Sequence, residues 1–283
     1  CLHLLSSRAL AYGQGIFETI YVNRSSLILF DEHLDRLILG AQQLKMYCSK
    51  AEIMALCDLF VVRLQNWAKG GHVEGLLKIS LWALKPDDST GWGYGTLGLS
   101  ASLLGFVFTP KKQKLSAASI RLIRLSDPLY PQPKALIGLK TTSALQYVHW
   151  SQQVLAAGFD QGLLFDENGV VVEGTSANVV VQLQSGDIVT PGLSRTGVRG
   201  TLRRHLLEKK YIREADALTE IDLYSARRLL MINSVRGLQF VSQYQGQSQT
   251  KSAYFATTLS KLQPLPEDQE LQALVAYVAG LFS

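Results

Sequence analysis

Residues 137–147 read Ile-Gly-Leu-Lys-Thr-Thr-Ser-Ala-Leu-Gln-Tyr, and the rest of the sequence is organised around this stretch. A loop, residues 127–136, precedes it, and a helical pattern follows it as far as Gly158. Lys140 is the only charged residue between Leu136 and the predicted helix. If its apolar neighbours are buried, the ammonium group is poorly solvated, which lowers its pKa and makes the amine a usable nucleophile. This segment alone favours the alternative, a solvated surface lysine.

The composition indicates a globular chain without a strong charge bias. Of its 283 residues, 47% are hydrophobic and 18% are charged, which is enough for one large or two medium domains. The net charge is +5, but the basic residues are scattered and lack the aromatic interleaving of a nucleic-acid-binding face. The longest apolar run, residues 271–282, is too short to span a bilayer. We therefore expect a small-molecule substrate, with neither a nucleic acid nor a membrane as partner.

The three cysteines, Cys1, Cys48 and Cys57, indicate reduced thiols. Their odd number, the lack of a CxxC motif and the lack of a histidine at ligand spacing argue against a disulfide framework and a metal site. Free thiols are typical of a reducing compartment, so we expect a cytoplasmic location and no metal.

Local patterns predict two α/β domains. Residues 9–30 read as two strands around a turn, and Gly13 and Gly15 allow a close backbone approach just before the first strand. Asn168-Gly169, between two apolar runs, indicates a hairpin with a type I′ turn. The polar run at residues 111–114 lies between two strand patterns and is the expected linker. The predicted division is a small N-terminal α/β domain at residues 1–110, a linker at 111–117 and a larger domain at 118–283.

Candidate ligand-binding residues are spread along the chain, and each signal is weak by itself. The helix start at residues 197–201 offers free amides and a favourable dipole to a phosphate, although glycine-rich helix starts are common. Arg36 is a bidentate anion binder near another helix start, and Ser234 follows an apolar run. Glu173, at a strand end, could pair with a protonated ring nitrogen, and Lys140 could form an imine. Together these residues would suit a phosphorylated, nitrogen-containing ring.

The order of the motifs resembles that of the class IV pyridoxal 5'-phosphate (PLP) enzymes of fold type IV. This family includes branched-chain and D-amino-acid aminotransferases and aminodeoxychorismate lyase. The resemblance covers nearly the whole chain and lies in six blocks: residues 12–19, 33–37, 138–140, 173–178, 197–200 and 233–234. It implies a mixed α/β (α+β) fold of type IV, with a small N-terminal α/β domain and a larger C-terminal α/β domain that binds PLP. It also implies a homodimer.

The resemblance further implies roles for individual residues. Lys140 would form the Schiff base with PLP and shuttle protons, and Glu173 would keep the pyridine nitrogen protonated, so that the ring accepts charge as a quinonoid. The residues matching the phosphate site are Arg36, Val198 and Arg199 through their backbone, and Ser234. The residues expected to meet substrate are Phe17, Thr19, Trp92 and Tyr94.

Departures from the family pattern favour its lyase branch. Many transaminases of the family carry a tyrosine four or five residues after the lysine, where this chain has Ala144 and Leu145. D-Amino-acid aminotransferases share an Arg-x-His carboxylate trap, but no arginine occurs here between Arg63 and Arg121. The resemblance to the lyase branch therefore implies that the chain converts 4-amino-4-deoxychorismate to 4-aminobenzoate and pyruvate in folate synthesis.

Two arginines that are usual in the lyase are missing here, so other functions within the family stay open. The lyase usually has an arginine where Trp92 stands and another near residues 82–84. Because its substrate is a dicarboxylate, Lys85 or Arg199 would have to supply positive charge instead. The first alternative is a class IV aminotransferase acting on D-amino acids or branched-chain amino acids. The second is a PLP-binding protein without turnover.

Overall fold

The computed structural model describes residues 7–69, 72–85, 94–95, 100–110, 119–247, 252–255 and 268–283. The chain separates into two compact units. Unit 1 comprises Cys1–Gln113 and Leu139–Ala144, and unit 2 comprises Lys114–Gly138 and Leu145–Ser283. The predicted boundaries assign Lys140 to residues 118–283, whereas the structure groups it with unit 1. The predicted linker at residues 111–117 lies outside the described residues.

Unit 1 contains a four-stranded antiparallel sheet with the strand order β2-β1-β3-β4. The strands are β1 (Gly15–Asn23), β2 (Ser26–Leu27), β3 (Gly75–Ala83) and β4 (Ser102–Pro110). The described part of unit 1 also holds the helices α1 (Arg8–Tyr12), α2 (Phe30–Gln43) and α3 (Lys50–Trp67). Residues 9–12 therefore belong to a helix and not to a strand. The Ser7 hydroxyl caps this helix by accepting from the Leu10 N–H at 3.1 Å, and this local bond outweighs the strand-like pattern.

The core of unit 1 lies on one face of β1. Side chains alternate along a strand, so Ile16, Ile20 and Val22 share the face that packs with Leu34 and Leu37 of α2. Each fully buried aliphatic side chain of this kind contributes roughly 1.5–3 kcal/mol relative to exposure. The opposite face of β1 is left for side chains that do not form this core.

Unit 2 is built on a larger mixed sheet with the strand order β10-β9-β8-β11-β12-β5-β6-β7, and β13 pairs with β12. Its strands are β5 (Ile120–Arg124), β6 (Gln161–Phe165), β7 (Val171–Gly174), β8 (Asn178–Gln182), β9 (Ile188–Pro191), β10 (Arg213–Ala215), β11 (Arg228–Asn233), β12 (Gly237–Gln245) and β13 (Ser252–Tyr254). Its described α-helices are α4 (Leu145–Ala156), α5 (Thr201–Glu208), α6 (Glu220–Ser225) and α7 (Gln269–Phe282), and a 3₁₀ helix spans Lys134–Leu136.

The predicted hairpin at Asn168-Gly169 is confirmed and positions Glu173, but the predicted type I′ turn is wrong. A type I′ turn needs a positive φ at both central residues, and Asn168 does not have one. Gly169 has a φ of +77°, a left-handed conformation that glycine adopts without strain, and β6 and β7 pair antiparallel on either side of the turn. In this register Leu164 lies opposite Glu173, one residue before the end of β7. Among the helices that the structure describes, none is both long and apolar enough to cross a membrane.

Candidate active site

Lys140 lies on a short segment that pairs with the start of β1. The Phe17 N–H donates to the Lys140 carbonyl at 3.2 Å, and the Thr142 N–H donates to the Gly15 carbonyl at 2.8 Å. The Lys140 ammonium nitrogen lies 4.6 Å from the centroid of the Phe17 ring. Because a cation is attracted to the face of an aromatic ring, Phe17 holds the amine at a defined place beside β1.

Two glycines make room for the segment that carries Lys140. An ideal Cβ at Gly13 would lie 2.0 Å from the Ser143 hydroxyl oxygen, and one at Gly15 would lie 2.8 Å from the Thr142 hydroxyl oxygen. Gly13 also has a φ of +68°. The Thr142 hydroxyl donates to the Gly13 carbonyl at 3.0 Å, which secures the contact. The predicted close backbone approach at Gly13 and Gly15 is confirmed, and the approaching segment is the one that bears Lys140.

A second lysine, Lys78, also lies close to the Phe17 ring. Its ammonium nitrogen lies 4.5 Å from the Phe17 centroid, and in the pairing of β1 with β3 Lys78 lies opposite Thr19. Phe17, Thr19 and Lys78 therefore occupy the sheet face opposite the unit 1 core. The sequence reasoning missed Lys78, although it is the only charged residue of β3.

Arg36, predicted to bind a phosphate, has an internal partner in this structure. It donates from Nε and Nη2 to the Glu18 carboxylate at 2.7 and 2.5 Å, and the His33 Nδ1 lies 2.6 Å from the same carboxylate. Burial raises the pKa of Glu18, but Arg36 and His33 outweigh it and hold the pKa at about 2. Glu18 is therefore an anion that only accepts, so the His33 Nδ1 is the donor. Phosphate binding by Arg36 stays a prediction.

Glu173 is a buried carboxylate that accepts hydrogen bonds from neutral donors. Its side chain is 3% exposed. The Tyr147 hydroxyl donates to Oε1 at 2.6 Å, while the Val198 N–H and the Asn178 amide donate to Oε2 at 3.0 and 3.3 Å. Hydrogen bonds to a carboxylate stabilise its charged form, so these donors favour an ionised Glu173.

Tyr147 is a second residue that the sequence reasoning missed as a site residue. Burial, and next the negative charge of Glu173, raise the pKa of the Tyr147 phenol far above its ordinary value, so it remains a donor. Its ring meets the Trp150 ring edge-on at 5.4 Å between centroids. The available signal was the helical pattern after Lys140, which places Tyr147 in the first turn of α4.

The glycine-rich turn before α5 is closely packed. Gly138 and Val198 form a parallel bridge, and Gly138 and Gly197 have φ values of +84° and +90°. An ideal Cβ would lie 2.7 Å from the Arg199 Cδ at Gly138, and 2.9 Å from the Val172 Cγ1 at Gly197. Both positions therefore require glycine.

The two backbone amides predicted to bind a phosphate already have acceptors. The Val198 N–H donates to Glu173, and the Arg199 N–H donates to the Gly138 carbonyl at 3.1 Å. A phosphate at these amides has to replace both acceptors. Their role in phosphate binding stays a prediction.

Ser234 lies in a tight turn that follows β11. Its side chain is 8% exposed. The Asn233 side-chain oxygen accepts from the Val235 and Arg236 N–H groups at 3.0 and 2.6 Å, which fixes the turn around Ser234. The predicted phosphate contact of its hydroxyl stays a prediction.

The structure describes three of the four predicted substrate residues, and their role in substrate binding stays a prediction. Phe17 and Thr19 share one sheet face, where Phe17 meets Lys140. The Tyr94 side chain is 87% exposed, and its backbone carbonyl accepts from Arg8 at 2.7 Å. Trp92 lies outside the described residues.

A family model described as amino-transferase class IV matches residues 15–244. The match includes Lys140, Glu173 and Ser234 and extends over most of the chain. This protein is a class IV aminotransferase family member. The predicted family and fold type IV are thereby confirmed, and the chain is assigned to the enzymes of this family.

Two curated relatives of this class IV protein carry different names. It is 26% identical over 235 residues to a Methanocaldococcus jannaschii protein named "Putative branched-chain-amino-acid aminotransferase", covering 78% of this chain and 75% of that protein. It is 25% identical over 248 residues to an aminodeoxychorismate lyase of Vibrio harveyi, covering 84% and 86%. The two names are those of different reactions in the same family.

Solved structures share the class IV fold. The 4-amino-4-deoxychorismate lyase of Pseudomonas aeruginosa has a TM-score of 0.77 at 24% identity, covering 96% of this chain and 94% of that one. A hypothetical aminotransferase from Mycobacterium tuberculosis in a PLP-bound form has a TM-score of 0.74 at 19% identity, covering 98% and 92%. At these identities the similarity shows the fold.

The class IV family depends on PLP, which confirms the predicted cofactor. The chemistry of the described residues fits this group. In unit 2, Glu173 is a buried carboxyl group whose hydrogen-bond donors favour its charged form, which suits a protonated ring nitrogen. The Thr196 hydroxyl, beside Gly197, is buried without a hydrogen-bond partner among the described residues, as expected where a polar group is to be bound. In unit 1, Lys140 supplies the primary amine that the cofactor's aldehyde requires.

Proposed function

We propose that this enzyme is a lyase that converts 4-amino-4-deoxychorismate to 4-aminobenzoate and pyruvate, a step of folate synthesis. The observation that carries the proposal concerns Tyr147, the first tyrosine after Lys140 in the sequence. Positions 144 and 145 hold alanine and leucine, and Tyr147 donates its phenol to Glu173 instead. The phenol that many transaminases of the family carry after the lysine is therefore lacking at those two positions. The Vibrio harveyi lyase, related along 84% of the chain, supports the same reaction.

In the proposed reaction, Lys140 moves the protons. PLP, when bound, supplies an electrophilic carbon and an electron sink. With the substrate bound, Lys140 would remove the proton from the amine-bearing carbon with Nζ. The bond between the ring carbon and the enolpyruvyl oxygen then breaks, the ring becomes aromatic, and Lys140 returns a proton as pyruvate leaves. The substrate and the two products balance without water or a redox partner.

The proposed role of Glu173 is to stabilise the positive charge on the cofactor's ring nitrogen. As a buried carboxylate, it stabilises a proton on the ring nitrogen that it meets, and Tyr147 and Asn178 remain its donors when the Val198 N–H binds the phosphate. The proposed phosphate ligands are the four residues inferred from the family resemblance: Arg36, Val198, Arg199 and Ser234. We also propose that the enzyme is a homodimer, to be checked by light scattering.

Lys78 supplies a cation of the kind that the missing arginines would have provided. Its ammonium group and that of Lys140 lie beside the same Phe17 ring, and the Thr19 hydroxyl lies across the strand pair from it. A substrate whose amine reacts at Lys140 would present its carboxylate to Lys78 and Thr19. This arrangement adds Lys78 to Lys85 and Arg199 as candidates for carboxylate recognition.

The test is a direct comparison of two activities of the wild-type enzyme with PLP. We expect 4-aminobenzoate, measured by chromatography, and pyruvate, measured with lactate dehydrogenase, in equal amounts from aminodeoxychorismate. The same preparation is offered a panel of amino acids with 2-oxo acids, and Lys140→Ala is the inactive control. Turnover of an amino acid and 2-oxo acid pair, with neither product from aminodeoxychorismate, would falsify the lyase proposal.

The second candidate is a class IV aminotransferase for branched-chain or D-amino acids. The observation in its favour is the Methanocaldococcus jannaschii relative, together with tryptophan at position 92 where the lyase usually has arginine. The same panel of amino donors detects it. Failure of both reactions with PLP bound would indicate a PLP-binding protein without turnover.

A further inference from the structure

We propose that Tyr147 is a positioning residue that fixes the Glu173 carboxylate and keeps it weakly basic toward the cofactor's ring nitrogen. The inference rests on the proposed contact of Glu173 with that nitrogen. Lyase and aminotransferase chemistry share this contact, so the inference does not depend on which of the two reactions the enzyme catalyses.

The geometry sets Tyr147 apart from the other donors to Glu173. Its 2.6 Å bond is the shortest of the three and goes to Oε1, whereas Val198 and Asn178 both donate to Oε2. Of these three donors, Tyr147 is the titratable one. Removing its hydroxyl therefore changes the environment of one carboxylate oxygen and leaves the bonds to the other.

Tyr147 is held rigidly enough to position a charge. It lies in α4, and its ring packs edge-on against Trp150, which is 3% exposed. Tyr147→Phe retains this ring contact, so the change removes the hydrogen bond with little change of volume. Burial raises the pKa of the phenol, which keeps the proton on Tyr147 through the pH range of an assay.

The consequence for the cofactor follows from the competition for one proton. A hydrogen bond to a carboxylate favours its charged form and lowers its basicity. With Tyr147 in place, the proton between Glu173 and the ring nitrogen stays on the nitrogen. Without the phenol, Glu173 becomes more basic and the proton moves toward it, so the ring becomes a poorer electron sink. The chain thus places its phenol on Glu173, seven residues after Lys140 in the sequence.

The test compares Tyr147→Phe with a matched control, Tyr244→Phe. Tyr244 is a buried tyrosine of unit 2 that donates to Glu220 at the same distance, 2.6 Å, and no predicted site residue takes part in that bond. The first readout is the pH midpoint of the absorbance change of the resting PLP-loaded enzyme, recorded without substrate. The second is kcat and KM for whichever reaction the wild-type enzyme catalyses.

For Tyr147→Phe we expect the spectral midpoint to rise by on the order of one pH unit. When the cofactor ring carries less positive charge, the Lys140 nitrogen is protonated more easily, so its proton is lost at a higher pH. We expect kcat to fall about ten- to a hundredfold, with KM within about twofold, since a hydrogen bond to a charged group is lost. Tyr244→Phe lowers the unfolding temperature but leaves both readouts at the wild-type value.

An unchanged midpoint in Tyr147→Phe, or equal changes in the two variants, overturns the inference. If Tyr147→Phe does not fold, a fluorinated tyrosine at position 147 replaces it. This isostere is a stronger donor and must move the midpoint to lower pH, and an unmoved midpoint again overturns the inference. Because the spectral readout needs no substrate, its failure is distinguishable from failure of the wild-type lyase assay.

Discussion

Substituting Gly13 by alanine tests how the Lys140 segment is seated. The new Cβ would lie 2.0 Å from the Ser143 hydroxyl oxygen and 3.2 Å from its Cβ, so Ser143 must move. Gly13 also has a φ of +68°, which costs a residue with a side chain roughly 1–2 kcal/mol. Displacing a packed neighbour adds about 1–3 kcal/mol. The free energy of unfolding is therefore expected to fall by about 2–5 kcal/mol in Gly13→Ala.

Gly158→Ala is the matched control. Gly158 has a similar φ, +73°, but nothing lies within 4 Å of its ideal Cβ, so only the cost of the left-handed conformation applies. Because Lys140 is three residues from Ser143, we expect Gly13→Ala alone to slow cofactor attachment. A misplacement of about 1 Å costs on the order of a hundredfold in rate.

The assay combines denaturant unfolding with the rise of borohydride-sensitive absorbance after PLP is added to the apoenzyme. Ser143→Ala, combined with Gly13→Ala, removes the 2.0 Å contact and is expected to restore much of the attachment rate. The reasoning is refuted if Gly13→Ala and Gly158→Ala lose the same stability and attach PLP at the same rate.

Two further predictions concern single charges of unit 1. Lys78→Met is expected to raise KM for the carboxylate-bearing substrate about tenfold with kcat little changed, and Lys78→Arg to stay near wild type; a fall in kcat at constant KM would contradict the assignment. Glu18 has its pKa lowered from 4.5 to about 2. Its stabilisation is present above pH 4.5 and is lost as the pH falls toward 2, about 3 kcal/mol in all. Unfolding curves of wild type and Glu18→Gln should converge by that amount between pH 5 and pH 2, and a constant difference would count against it.

Features set by short-range chemistry could be predicted from the sequence. The Asn168-Gly169 turn needs a left-handed residue, which glycine supplies, and the flanking apolar runs fix the hairpin that ends near Glu173. Gly13 and Gly15 likewise indicate a close backbone approach before the first strand. The order of the six blocks sufficed for the family because each block carries several residues.

Contacts between distant residues could not be predicted in the same way. Tyr147 and Glu173 are 26 residues apart, and their bond depends on how α4 packs beside β7. Lys78 meets Phe17 only through the register of β1 with β3, since a slip of one residue would place it on the other sheet face. Residues 9–12 form a helix because Ser7 caps them, a bond that the strand-like pattern does not reveal.

The central claim is that Lys140 carries the cofactor, and the direct measurement is to locate the covalent bond. The PLP-loaded enzyme is reduced with borohydride, digested, and analysed by mass spectrometry for the lysine that bears the pyridoxyl group. Lys78 is the critical internal comparison, because its ammonium group lies at nearly the same distance from the Phe17 ring as that of Lys140. We expect the label on Lys140 and its loss in Lys140→Ala. A label on Lys78 or on any other lysine would contradict it.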